Sequence, residues 1–495
     1  MLKENLEKLS KIEMEFPVED LNFHGTNWWP YLRVYLGTVS NNGNNLNVNH
    51  RNESNYLIGI LKGLKRLLIS FFSPSKKSFR SIYKKSSKKW SNLDVLLFGS
   101  SSSTKEHING KKINQYTGPL GYYLKDDFKI NQIEISENTE PSDYYFDTVT
   151  MNSYAKKELI SFSLKNLIKR LIHPKSSRLP VVFEEFVSLV NERFQFNAIS
   201  INQIYSDINA IRLYQYSFNN VFSVVRPNLL LLTGYYSKMN YAMILAAKDS
   251  EVLVVDVQHG VQGQMHRAYS KWGKIADNGY GLLPDYYFVY SEIEKTSLEL
   301  SHNNSVKHKV VKVGNLWAEL SLELNDGFDS RLIDKDRVNI LLTPNTDEIP
   351  SWALDFLNEN SDKYNWIVRM HPRGGDRDLL ILKKLKNSGF QNFKVKGVLE
   401  QNIFQLLDAV DVHVTVHSSV AIDSVHCGMK SILLHSDAHI AYEEYISTNL
   451  VKHAQSYSEL RNYIENYKAE LVIASNINGA MKRRVVNIID GLGLK

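Results

Sequence analysis

The sequence predicts an α/β protein of two Rossmann-like domains facing each other across a cleft, with a basic, helical N-terminal extension. Three observations support this. From Asp94 onward, short and uniformly apolar runs alternate with segments of helical period. The alternation comes in two series, divided by the polar stretch ELNDGFDSRLIDKD at 323–336. With 495 residues and 43% hydrophobic content, the chain can bury two separate cores. Apolar strands without in–out alternation mark a parallel sheet covered by helices on both faces. The expected boundaries are an extension at 1–90, a first domain at 91–330 and a second at 331–495.

The extension reads as irregular at its start, with an aromatic cluster of Trp28, Trp29, Tyr31 and Tyr35 and an Asn-rich loop at 41–55. LIGILKGLKRLLISFF then places apolar residues at helical spacing, with Lys62, Lys65 and Arg66 on the opposite side. Between Leu57 and Trp90 stand ten Lys/Arg and no acid, so a chain of net charge +6 is acidic elsewhere. Such a segment suits an anionic membrane surface; a helix packed on the first domain with a solvated basic tail is the alternative. Nucleic acid is not expected as a partner, because no reading helix or RNA module accompanies the charge.

In the first series DVLLFGSSSS (94–103), PNLLLLTGYY (227–236), EVLVVDVQHG (251–260), DYYFVYS (285–291) and KVVKVGN (309–315) read as strands, and KMNYAMILAAKDS (238–250) as a helix. Residues 150–220 read as mainly helical. The second series runs VNILLTPN, a helix after Pro350, NWIVRMHPRGG, a helix from Asp376, FKVKG, a helix from Gln401, VHVTVHSS, a helix through Cys427, and KSILLHS. That makes five strands in β-α order.

Cys427, the one cysteine, can form neither an internal disulfide nor a multi-cysteine zinc site. The start MLKENLEKLSKIEMEF has no apolar signal core, and no run of about 18 uncharged apolar residues occurs. A cytoplasmic protein, at most peripheral on the inner face of the membrane, is expected. P-loop, GxGxxG and HExxH motifs are absent, and the triplets DKD (334–336) and DRD (376–378) fall in the hinge and at a helix start. No metal and no cofactor is expected.

Ligands of open α/β sheets bind beyond the carboxyl ends of strands, so the polar residues ending each strand are the candidates. Arg369, His371, Pro372 and Arg373 end one strand beside Gly374-Gly375 and put three basic groups where a phosphate could sit; a solvated turn is the alternative. Ser418 and Ser419 fall where a strand gives way to a helix, a place for an anion or for plain N-capping. Asp423, one turn on, is in reach of a ribose hydroxyl or simply favours the helix start. In the first domain His259, between Gln258 and Gly260, is a candidate general base or phosphate ligand. Asp256 is the runner-up base, and His266 lies further out. Ser101 and Ser102, in a polar loop after the first strand, are candidates for the acceptor side; a plain Ser-rich surface loop is the alternative.

This order resembles the GT-B glycosyltransferases, whose second domain holds an activated donor and whose first holds the acceptor. More narrowly, His371-Pro372 and Ser418-Ser419 resemble the HP and SS motifs of bacterial sialyltransferases, polysialyltransferases and capsule Kdo transferases, which use CMP-activated sugars. Residues 400–434 are also similar to CDP-glycerol glycerophosphotransferases, which share a histidine-glycine turn like His259-Gly260. The resemblance covers about 225–450. It implies that His371, Ser418 and Ser419 contact the donor phosphate and that Glu400 binds the ribose or base. An acidic general-base motif of the sialyltransferases has no match, since Asp126-Asp127 is followed by Phe128; His259 could stand in its place. The implied function is transfer of a CMP-activated sugar to a saccharide or lipid-linked saccharide during surface-polysaccharide synthesis. The alternatives are a CDP-polyol phosphotransferase, a UDP-sugar transferase or epimerase, and a non-catalytic binding subunit.

Overall fold

The computed structural model describes residues 2–39, 90–100, 103–104, 106–135, 141–150, 178–194, 199–262, 266–273, 275–324, 327–371, 374–467 and 481–493. The basic segment proposed for a membrane surface (all of 57–90 but Trp90), together with Ser101, Ser102, Pro372 and Arg373, lies outside them.

The four leucines of Leu229–Leu232 are all buried, which is the signature of a strand covered on both faces. They form the centre of a seven-stranded parallel sheet. In chain order its strands are β1 (Val95–Ser100), β2 (Ile130–Ile135), β3 (Thr148–Thr150), β4 (Leu229–Leu232), β5 (Leu253–Val257), β6 (Tyr286–Val289) and β7 (Lys309–Lys312). The spatial order is β7-β6-β5-β4-β1-β2-β3. The chain runs outward from β1, then returns to lay β4 on the other side of β1. That reversal makes a switch point at the carboxyl ends of β1 and β4, where an open sheet leaves a crevice.

Helices α1 (Leu2–Glu15), α2 (Trp29–Val39), α3 (Thr117–Leu124), α4 (Val181–Phe194), α5 (Ile201–Val225), α6 (Lys238–Asp249), α7 (Glu292–Ser301) and α8 (Leu316–Leu324) accompany this sheet. Serine caps start three of them: Ser200 Oγ accepts from the Gln203 N–H, Ser237 Oγ from the Asn240 N–H and Ser291 Oγ from the Ile293 N–H. Two expectations change. The stretch before residue 40 is not irregular: Trp28, Trp29, Leu32 and Leu36 are fully buried in the same core as β1 and β4. Buried Arg33 fixes it there, pairing with Glu13 at 3.0 Å and donating to the carbonyls of Arg267 (2.8 Å) and Lys271 (2.7 Å). The sheet also has two strands beyond those expected, β2 and β3.

The second sheet contains β8 (Asn339–Thr343), β9 (Asn365–Val368), β10 (Val412–Thr415), β11 (Ser431–Leu433) and β12 (Val451–His453), in the order β9-β8-β10-β11-β12. It is parallel throughout, with a second switch point between β8 and β10. Its helices are α9 (Ser351–Glu359), α10 (Asp376–Asn387), α11 (Ile403–Ala409), α12 (Val420–His426), α13 (Ala438–Ala441), α14 (Glu443–Ser447) and α15 (Tyr457–Glu465). The count of five was right, but the membership differs. FKVKG contributes only a single bridge, Ile367 with Lys394, because the chain turns at Gly397, whose φ is +77°. Val451–His453 takes the fifth place.

The last helix, α16 (Met481–Gly491), crosses back to the first domain. Its Val485 and Ile489 are buried in a core cluster that includes Leu120 of α3, Trp317 of α8 and the second sheet. Lys482 pairs with Asp126 (2.9 Å) and Asp127 (3.3 Å), and Arg484 donates to the Val313 carbonyl and to Glu319. Asp126 and Asp127 therefore hold this crossing helix.

Candidate active site

The carboxyl ends of both sheets meet in one cleft of about 480 Å³. The first domain lines it with Gln115 and Tyr116 ahead of α3, His259 and Gly260 after β5, Tyr290 after β6, and Asn315 and Trp317 after β7. The second contributes Ile403 and Phe404 at the start of α11, and Ser419, Ile422 and Asp423 at the start of α12. Four of the residues singled out from the sequence, His259, Gly260, Ser419 and Asp423, thus share one cavity although they come from opposite domains.

The turn after β5 is built around Gly260, whose φ of +149° is strained for any side chain while no atom crowds its Cβ position. Gln258 is buried and does not line the cavity. Its Oε1 accepts from the Tyr290 N–H (2.8 Å) and its Nε2 donates to the Gly260 carbonyl (3.0 Å), so it shapes the turn from behind. His259 is partly exposed at its edge, yet its Nε2 lies 3.0 Å from the Tyr236 hydroxyl and its Nδ1 is buried without a partner among the described residues. Desolvation lowers its pKa from 6.5 to about 4, so the ring is neutral through the physiological range. Burial also pushes the Tyr236 hydroxyl up to about 12, leaving it protonated.

Asp256 does not reach the cavity. Its carboxylate accepts from the Gly234 N–H (2.8 Å) and the Tyr269 hydroxyl (2.6 Å), tying the loop after β4 to the ring cluster around His259. Burial raises it to about 7. His266 packs on Tyr236 and Tyr269, with ring centroids at 5.2 and 4.8 Å, and is likewise held neutral by desolvation.

On the opposite wall Asp423 is raised from 3.8 to about 7, first by desolvation, with an opposing hydrogen bond from Asn315 at 3.4 Å. A partly protonated carboxyl at neutral pH can both donate to and accept from a ligand hydroxyl. Ser419 is exposed to the cavity. Ser418 is buried, turned to accept from the Val420 N–H at 3.4 Å. It shapes the start of α12 rather than the wall.

Of the basic turn after β9, Arg369 and His371 are among the described residues, and neither lines the cleft. Arg369 donates to the carbonyls of Val398 (2.7 Å) and Gln401 (2.6 Å), so its guanidinium braces the neighbouring loop. The Asp378 carboxylate accepts from the His371 backbone N–H, which gives the DRD triplet a structural role. His371 and Glu400 are not among the residues lining the cleft. Glu400 lies exposed in the turn before α11, whose N-cap is Asn402, accepting from the Phe404 N–H at 2.9 Å.

Eight lining residues went unread in the sequence: Gln115, Tyr116, Tyr290, Asn315, Trp317, Ile403, Phe404 and Ile422. Asn315 obeys the rule used for the others, since it is the polar residue that ends KVVKVGN; the aromatics carry no such signal, because aromatic residues are commonest in cores. Among the described residues no helix is long and apolar enough to cross a membrane.

The sequence matches no protein-family model and no curated protein at a significant level. Solved structures do match. A putative UDP-N-acetylglucosamine 2-epimerase from Listeria monocytogenes aligns with TM-score 0.51 and 12% identity, over 81% of this chain and 97% of that one. A Staphylococcus aureus MnaA–UDP co-structure gives 0.48 and 15%, over 81% and 97%. The wall teichoic acid polymerase TagF gives 0.44 and 13%, over 89% and 98%. With two parallel-sheet α/β domains meeting at their carboxyl ends, the chain has the GT-B fold.

Proposed function

We propose that the protein is a glycosyltransferase using a nucleotide-activated sugar. The observation that carries this reading is the single cleft that sets His259 of the first domain opposite Ser419 and Asp423 of the second. The donor nucleotide belongs on the second-domain wall. There the Ser419 hydroxyl serves the phosphate, and the Asp423 carboxyl serves a ribose hydroxyl. Tyr116, Trp317 and Phe404 offer apolar ring surface to a base or a sugar ring. The acceptor hydroxyl approaches His259. The neutral imidazole, braced by the Tyr236 hydroxyl, takes the proton, and an anionic donor in the cleft favours the imidazolium that forms.

For the donor we favour a CMP-activated sugar, of sialic-acid, related nonulosonate or Kdo type, on the resemblance of His371-Pro372 and Ser418-Ser419 to the HP and SS motifs; a CDP-polyol donor is the alternative. The acceptor is then a saccharide of a surface polysaccharide. If that acceptor is lipid-linked, the ten bases of 57–90 would bring enzyme and substrate together at the membrane, and sedimentation with anionic but not neutral vesicles would show it. A UDP-sugar enzyme is the second reading, favoured by the shared fold of the Listeria protein, which is named for a UDP-sugar.

The test is nucleotide release from CMP-, CDP- and UDP-activated sugars, with and without saccharide acceptors. Release from a CMP or CDP donor, abolished in His259→Ala while nucleotide affinity persists, supports the first reading. Release from UDP-sugars alone moves the protein to the second. No release from any donor removes the enzymatic reading.

A further inference from the structure

Behind the cleft, a buried polar chain joins the two domains through Glu294, on α7 of the first. Glu294 is 5% exposed, and three side chains donate to its carboxylate. The Ser291 hydroxyl bonds one oxygen; Gln258 Nε2, at 3.3 Å, and the Tyr445 hydroxyl bond the other. Gln258 belongs to the His259 turn, which it also holds through the Gly260 carbonyl at 3.0 Å. Tyr445 is 3% exposed and belongs to α14 of the second domain. A second crossing runs beside the first, from the Ser297 hydroxyl of α7 to Glu444 of α14 at 2.5 Å. Around both pack Val261, Tyr290 and Ile293 of the first domain against Ala421, Ile422 and Tyr445 of the second.

Buried carboxylates are costly unless their oxygens are satisfied. Here part of that satisfaction comes from the other domain. If the domains part, Glu294 loses Tyr445, and its remaining bonds to Ser291 and Gln258 are free to rearrange in water. His426 of α12 completes the surroundings, its Nε2 3.8 Å from the same oxygen and its ring edge-on to Tyr290 at 5.0 Å. Neither His426 nitrogen has a hydrogen-bond partner among the described residues, and desolvation keeps the ring neutral. Tyr445 is therefore the hydrogen-bond donor that the second domain supplies to Glu294.

We propose that Glu294 is a positioning residue, linking the seating of the second domain through Gln258 to the orientation of His259. The His259 turn then reaches its working geometry when Tyr445 is docked. This rests on the reading of His259 as the group facing the acceptor, but its structural half can be tested without any activity.

Two variants separate the possibilities, Glu294→Gln and Tyr445→Phe, with urea unfolding confirming that each folds. The first measurement is side-chain ¹⁵N NMR of histidine-labelled protein, with His259 assigned by its loss in His259→Ala. Removing one hydroxyl on the opposite domain is expected to move the His259 ring resonances in Tyr445→Phe, and Glu294→Gln to move them the same way. Unchanged His259 resonances in both folded variants overturn the proposal. The second measurement is transfer kinetics. A misplacement of about 1 Å can cost about a hundredfold in rate, so kcat should fall in both variants by more than KM changes. Neither change should reduce kcat further in a His259→Ala background. A full additional loss in that background would show that Glu294 acts elsewhere. If wild-type protein transfers nothing while the resonances still shift, the transferase reading fails and the linkage stands.

Discussion

Replacing Asp423 by Asn should make the protein more stable at alkaline pH, and the gain should vanish in acid. The carboxyl is raised from 3.8 to about 7 in the fold, chiefly by desolvation. A carboxyl raised on folding binds a proton more tightly in the native state, so its contribution is intact below about pH 4 and is lost as pH climbs through 7. At about 1.4 kcal/mol for each tenfold step, the full shift costs the native protein roughly 4 kcal/mol between those limits. Asp423 lines an open cleft, where water offsets part of that cost, so roughly 2–4 kcal/mol is the working range. The amide keeps the size and the contact with Asn315 without a charge to desolvate. Urea unfolding of both proteins at pH 4.5, 6 and 8 is the assay. The difference in unfolding free energy between Asp423→Asn and wild type should widen by roughly 1.5–3 kcal/mol from pH 4.5 to pH 8. Parallel profiles would mean that Asp423 is solvated and ionised in the native state, and its assigned place on the cleft wall would be wrong.

Two further outcomes are expected. Tyr236→Phe removes the partner of His259 Nε2 at 3.0 Å; a lost hydrogen bond of about 1 kcal/mol should lower kcat about fivefold without changing unfolding cooperativity, as steady-state kinetics would reveal. Arg33→Leu leaves Glu13 buried without its cation, so urea titration should register a loss of about 3–5 kcal/mol; a loss under about 1 kcal/mol would show that α1 and α2 are not integral to the first core.

Strand identity was legible wherever burial on both faces wrote an unbroken apolar run, as in Leu229–Leu232 and Asn339–Thr343. It was not legible at the sheet margins. There β2 carries Asn131, Gln132 and Glu134, all buried, with Gln132 Nε2 donating to Glu134 at 2.8 Å inside the strand, a polar composition that does not announce a buried strand. The short run FKVKG misled in the other direction, since a positive-φ glycine ends its pairing after one bridge. At the site, the rule that polar residues end strands found His259, Gly260, Ser419 and Asp423. It could not separate residues facing the cleft from those bracing it, because Arg369, Gln258 and Ser418 differ from them in direction and not in type. Direction depends on which carbonyls and N–H groups lie within reach, and those come from distant segments such as Val398 and Tyr290.

Calorimetric titration with CMP, CDP, UDP and GDP, on wild-type protein and on Ser419→Tyr, tests the central claim most directly. Ser419 is exposed on the cleft wall, so a tyrosine there fills the cavity without disturbing a core. The account predicts that CMP or CDP binds most tightly, adds about 2.7 kcal/mol of stability at about 100 times its dissociation constant, and fails to bind the variant. Binding of no nucleotide, or binding that Ser419→Tyr leaves untouched, would contradict it.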